Sequence, residues 1–141
     1  MAQEEKGLLL KDLSARLPYG TIVSVTDGTI KYNAYIESVS YKNIQVSPVS
    51  DSNFTAYTFY KISEIKPYLR PLSSMTEEEK KEFDDFCVID EFAWEGNSEI
   101  GYKNQAIIMS DAIDWLNAHH FDYRGLIEKG LALEAPEGMY N

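Results

Sequence analysis

Cysteine is all but missing from this chain: Cys87 stands alone among 141 residues. That excludes an internal disulfide framework and any Cys-rich zinc module. Apolar runs of membrane length are missing as well, since a span needs ~20 residues. Leu8-Leu9-Leu10 is too short for a signal-peptide core, and Glu4 and Glu5 stand where a basic leader start would be. Histidine occurs only as His119 and His120, with neither HExxH nor His-x-His spacing and no third histidine to complete a metal site. No Gly-rich phosphate loop, nucleophile elbow, catalytic triad signature or calcium-loop pattern occurs. The expectation is a soluble, cytoplasmic protein with no membrane partner and no cofactor.

What is present is a folding composition. The chain is 44% hydrophobic and 13% aromatic, far from the disordered class. Its length suits one domain able to bury roughly two thirds of its unfolded surface. The net charge of −10 is unevenly spread. Residues 1–73 hold seven acids and eight bases, whereas 74–141 hold sixteen acids and five bases. Ten of those acids lie between Glu77 and Glu99. Such a field repels nucleic-acid phosphates, so direct DNA or RNA binding is not expected.

The first half reads as a helix and then short strands. Leu9, Leu10, Leu13 and Leu17 recur at helical spacing with Lys11, Asp12 and Arg16 between them. Pro18 and Gly20 then stop the helix near Leu17. Thr21–Val25 is a β-branched run, Asp27-Gly28 signals a tight hairpin turn, and Ile30, Tyr32, Ala34 and Ile36 alternate. The apolar phase slips to Val39 and Tyr41, which implies a bulge near Glu37-Ser38. Ile44 and Val46 suggest another strand, and residues 54–62 a last one. A small curled antiparallel sheet or SH3-like barrel fits these strands, with an open sheet under helices as the competitor.

Pro67 and Pro71 require an extended stretch, read as a tether over 67–75 between a β-rich part (1–66) and a helical part (76–141). Thr76 followed by Glu77, Glu78 and Glu79 predicts a capped helix, on which Phe83, Phe86 and Cys87 form an apolar stripe. Gly96-Asn97-Ser98 and Gly101 mark a loop, and a final helix is expected from about Ser110 to Ala118 with Ile113 and Leu116 on one face. The tail carries Leu126, Ile127, Leu131 and Leu133, too apolar to be left solvated, so residues 119–133 should be ordered and dock on the β-rich part or on a partner subunit. The fold class is therefore α+β: an N-terminal helix, a curled sheet, and a helical, acidic C-terminal half in one compact unit.

Chemistry concentrates in His119-His120-Phe121-Asp122-Tyr123-Arg124. Two histidines and a carboxylate are metal-ligand types, so His119, His120 and Asp122 are the candidate metal site. Adjacent helical residues point ~100° apart, however. The pattern therefore favours a helix C-terminus whose histidines complement the dipole, with Asp122 capping the turn or pairing with Arg124. Cys87 sits among Glu82, Asp84, Asp85, Asp90 and Glu91, which oppose thiolate formation and favour a buried thiol. Glu77, Glu78, Asp84, Asp85, Glu91 and Trp94 are the candidates for an interaction surface, either a docking patch for a basic partner or a solvated helix face.

The segment Leu116-Asn117-Ala118-His119-His120-Phe121-Asp122-Tyr123-Arg124-Gly125-Leu126 through Pro136, with Leu8–Leu13, Arg16–Gly20 and Lys66–Thr76, resembles a recurrent group of small proteins encoded by gut bacteria and by their phages and mobile elements. The resemblance covers both ends and the middle, and strands 21–62 look variable. It brings no activity or catalytic residue; it implies a cytoplasmic setting in which small acidic proteins act by binding host proteins. The expected function is a non-enzymatic protein-binding module, a phage or mobile-element factor that engages a host protein or self-associates. Two other classes stay open: a small metal-dependent hydrolase centred on His119, His120 and Asp122, and an oligomeric sponge for a small nucleotide.

Overall fold

A computed structural model describes residues 1–49, 58–86 and 99–140. Helix α1 (Gln3–Arg16) is followed by a 3-10 turn at Leu17–Tyr19 that contains Pro18. Gly20, at φ 66°, closes the corner in the left-handed region open to glycine. The chain then enters β1 (Ile22–Asp27), β2 (Ile30–Val39), β3 (Ile44–Pro48) and β4 (Thr58–Tyr60). After a 3-10 turn at Ile62–Glu64 come β5 (Ile65–Pro71), α2 (Glu77–Phe86), α3 (Glu99–Ala118), β6 (Phe121–Asp122) and β7 (Leu133–Glu134). The protein is α+β.

The sheet has seven strands, open along the order β4-β3-β2-β1-β5-β6, with β7 also on β5. Its first five strands pair antiparallel, and β6 and β7 run parallel to β5. Asp27 and Ile30 close the first hairpin around Gly28, whose φ is 61°. The register of β2 on β3 slips between Ile36 and Ser38, a bulge at the expected place. Residues 67–71 are extended, as the prolines require, but they lie inside the sheet as β5. Proline cannot donate to a ladder. Pairing of β1 with β5 accordingly stops at Val23 opposite Pro67, and β7 and β6 take over along 68–71.

Two apolar clusters result. The larger combines Leu9 and Leu13 of α1, Val23, Val25, Ala34, Ile36, Ile44, Val46, Ile65 and Leu69 of the sheet, and Leu126, Leu131 and Ala132 of the tail. The smaller is Trp115, Leu116 and Phe121, with Met75, Phe83 and Tyr123 against it. The tail is thus docked on the sheet. Helix α2 opens with the expected reciprocal cap: Glu79 N–H donates to Thr76 Oγ1 at 3.1 Å, and Thr76 N–H to Glu79 Oε1 at 3.0 Å.

Three expectations change. Helix α3 begins at Glu99, not near Ser110, and Gly101 lies within it. Its core-facing residues are Trp115 and Leu116, while Ile113 is exposed. The last hairpin strand covers only Thr58–Tyr60 among the described residues, because the chain turns at Ile62. Cys87, Gly96-Asn97-Ser98 and residues 54–57 lie outside the described residues. Among those described, no helix is long and apolar enough to cross a membrane.

Leu126 is wholly buried, so Leu126→Ala should lower unfolding free energy by about 2–5 kcal/mol, the range for a truncated core residue. Urea unfolding checks this. Loss under about 0.5 kcal/mol, typical of a surface change, would show that the tail contributes no core.

Candidate functional site

Helix α3 ends where Trp115 O accepts from His119 N–H and Asn117 O from His120 N–H. His120 then adopts φ 63°, unusual for a residue with a side chain. That turn lays Phe121 and Asp122 beside β5, with Arg70 N–H donating to His120 O at 2.8 Å.

The two histidines part company here. His119 stacks on Trp115 at 4.0 Å between ring centres, and its Nδ1 lies 2.9 Å from Trp115 O. His120 stacks on Tyr140 at 3.6 Å, with Nδ1 3.4 Å from Thr21 Oγ1. Burial pushes His120 down to about 4, and the nearby charges of Arg16, His119 and Arg70 add to the shift. It is neutral at pH 7. Asp122 spends both carboxylate oxygens on the tail: Oδ1 accepts from Leu126 N–H at 2.9 Å and Oδ2 from Ile127 N–H at 3.0 Å. It therefore caps the turn, one of the two roles its position suggests, while Arg124 pairs elsewhere. No group of three or more His, Cys, Asp or Glu among the described residues is placed to hold a metal ion.

Around this corner lies a polar network spanning the chain. Arg16 Nε donates to Asp12 Oδ2 at 2.8 Å, and its Nη2 donates to Asp12 Oδ1 at 3.2 Å and to Phe121 O at 2.7 Å. Arg124 Nε donates to Asp12 Oδ1 at 3.1 Å. Both Asp12 and Arg16 are fully buried. Among the described residues, Arg16 Nη1 has no hydrogen-bond partner; the Tyr123 ring centre lies 5.3 Å from the guanidinium carbon. Tyr140 reaches back from the C-terminus, accepting from Ile22 N–H at 3.0 Å and donating to Tyr68 O at 2.7 Å. Burial pushes its phenol up to about 12. Arg70 grips Glu79 through two bonds of 2.7 and 2.8 Å and lies 4.1 Å over Phe121. The Arg70 hydrogen bonds hold Glu79 down to about 2.

Sequence reasoning missed Asp12, Arg16, Arg70 and Tyr140. Spacing of four between Asp12 and Arg16 is a signal for a pair, but nothing local announces its burial.

Two concavities flank the corner. One, of about 560 Å³, is bounded by Arg70, Thr76, Glu79 and the tail at 134–140. The other, of about 410 Å³, is a shallow groove between Tyr19 and the α3 residues Asp111, Asp114, Trp115 and Ala118. Trp115 donates from Nε1 to Glu82 Oε1 at 3.0 Å, which sets α2 against the same tryptophan. Of the interaction candidates, Glu77, Glu78, Asp84 and Asp85 are exposed on α2, and Glu91 and Trp94 lie outside the described residues.

Compared with known proteins, the chain matches no family model, no curated protein and no solved structure.

His120 supplies a pH signature. Its folded pKa lies below its unfolded one, so the unfolded chain takes up the proton first and stability falls as pH drops from 6.5 towards about 4. Glu79 adds a second loss only from 4.5 down to about 2. Urea midpoints should therefore decline between pH 6.5 and 5. In His120→Asn, which tolerates the left-handed backbone, that decline should vanish. An equal decline in the variant would place the proton elsewhere.

Proposed function

We propose that the chain is a non-enzymatic protein-binding module that engages a basic segment of a partner protein. The groove between the Leu17–Tyr19 turn and α3 carries this reading. Its wall combines aromatic Tyr19 and Trp115 with two carboxylates, Asp111 and Asp114, and among the described residues holds no lysine or arginine. A lysine or arginine side chain suits such a lining: its stem covers apolar surface while its charge meets a carboxylate. Exposed Glu77, Glu78, Asp84 and Asp85 on α2 add long-range attraction for the same partner.

The residues richest in chemistry point the same way. His119, His120 and Asp122 are each engaged in stacking or capping, which suits a scaffold for the groove better than a reacting centre. Within this reading, β1–β5 form a small curled barrel of the SH3-like kind. Three features support it: β5 returns beside β1, β2 bends at its bulge, and one 3-10 turn joins β4 to β5. The helical C-terminal half provides the acidic binding face. Its setting is the cytoplasm of a bacterial host, where a phage or mobile-element factor binds a host protein.

A labelled lysine-rich amphipathic peptide should bind the full chain, read by fluorescence anisotropy. Asp111→Lys with Asp114→Lys should weaken binding about tenfold or more, a difference of ~1.4 kcal/mol. Equal binding by a glutamate-rich control, or no effect of the double variant, would overturn the reading.

A further inference from the structure

The end of the chain forms a strap along the cavity of about 560 Å³. Residues 134–140 make one side of that cavity, and Arg70, Pro71, Ser74, Thr76 and Glu79 make the other. Among the described residues, hydrogen bonds hold the strap to the body at its two ends. At the first, Ala135 N–H donates to Leu69 O at 2.8 Å, which extends the pairing of β7 with β5. Tyr140 is the second. Between them, residues 136–139 form a turn that bonds to itself, Met139 N–H to Pro136 O at 3.1 Å, and Pro136, Glu137 and Gly138 are exposed. Gly138 bends the strap at φ 82°, a conformation that side chains resist. The second anchor fills an unfinished rung of the sheet. The β1–β5 ladder runs from Val25 opposite Ile65 to Val23 opposite Pro67 and ends there. The next pair in register is Ile22 with Tyr68, and Tyr140 places its hydroxyl in that gap. It accepts from Ile22 N–H at 3.0 Å, donates to Tyr68 O at 2.7 Å and lies 3.3 Å from Ile22 O. Its ring stacks on His120, 3.6 Å between centres.

We propose that this strap gates the cavity: Tyr140 leaves and re-enters its rung, hinged beyond Ala135, while the sheet and the core stay folded. The distribution of buried area separates the two motions. Leu126, Leu131 and Ala132, the part of the tail that belongs to the core, all precede the first anchor, and no residue of 136–140 belongs to either apolar cluster. Releasing the strap therefore sacrifices the Tyr140 hydrogen bonds and one ring stack but no core packing. Segments held this way open at a lower free energy than the fold as a whole. The same rung supplies the restoring force. With Tyr140 gone, Ile22 N–H and Tyr68 O lose the partner that bridged them, and an unmade buried hydrogen bond is costly. The closed strap is thus the resting state, and opening uncovers the wall formed by Arg70, Thr76 and Glu79. The cavity shares no lining residue with the Tyr19–Trp115 groove, so the gate and the basic-peptide reading stand or fall separately.

Native-state hydrogen exchange on the full chain tests this, with the Ile22 amide reporting the strap and those of Val25 and Ala135 reporting the body. In the natural chain Ile22 should exchange about tenfold or more faster than Val25, through a local opening. Gly138→Ala keeps the hydroxyl but strains the bend, so it should speed Ile22 about tenfold and leave Val25 and Ala135 unchanged. Tyr140→Phe keeps the ring and removes the hydroxyl, and should speed Ile22 at least as much. Met139, on the cavity wall, reads access to the cavity. Its oxidation by dilute hydrogen peroxide, measured by mass spectrometry against the exposed Met109, should quicken in Gly138→Ala. An Ile22 amide that exchanges only together with Val25 in the natural chain overturns the proposal. So does Gly138→Ala if it leaves Ile22 unchanged, speeds Val25 and Ala135 equally, or fails to quicken Met139 oxidation.

Discussion

Asp12 and Arg16 sit one helical turn apart on α1, and neither touches solvent. Two charges so placed have surrendered their hydration, and only close geometry repays that loss. Here Asp12 receives three donated bonds, two from Arg16 and one from Arg124, and Arg16 spends a further bond on Phe121 O. The consequence is architectural. One carboxylate on the first helix fixes the strand that follows α3 and the arginine that opens the tail. Removing Asp12 leaves the buried Arg16 charge unmatched, which costs far more than the pair contributes.

Around that node the remaining contacts fall into place. Leu9 and Leu13 on the same helix close the sheet's core. Asp122, the residue after Phe121, whose carbonyl accepts from Arg16, caps the turn that delivers Leu126 into that core. Tyr140 then ties the end of the chain to the backbone of β1 and β5 with one hydroxyl. The histidines, the carboxylate and the arginines most suggestive of chemistry are consumed by this joinery. Exposed acids and the Tyr19–Trp115 groove are what the outer surface offers.

Local signals were legible in the sequence. Asp27-Gly28, the phase slip at Glu37, the stop at Pro18-Gly20 and the Thr76–Glu79 cap each depend on a few neighbouring residues, and each has its expected form. Non-local ones were not. The stretch 67–71 reads as a tether because its prolines break ladders, yet Pro67 lies opposite β1 and residues 68–71 pair with two distant short strands. Asp12 and Arg16 read as ordinary polar spacers because the partners that bury them, Phe121 and Arg124, lie over 100 residues away. Helix α3 reads as shorter because Gly96-Asn97-Ser98 and Gly101 signal a loop, whereas the helix runs from Glu99 through Gly101.

The central claim is that the buried node joins the sheet and the α3–β6 corner into one cooperative unit. Native-state hydrogen exchange reads this directly, comparing the amides of Val23 and Val25 in β1 with those of Trp115 and Leu116 at the end of α3. In the natural chain both sets should exchange through one opening of common free energy. In Asp12→Asn both should lose protection together, by about 3–5 kcal/mol, the cost of leaving a buried charge unpaired. If Trp115 and Leu116 lose protection while Val23 and Val25 keep theirs, or if neither pair changes, the node does not join the two parts.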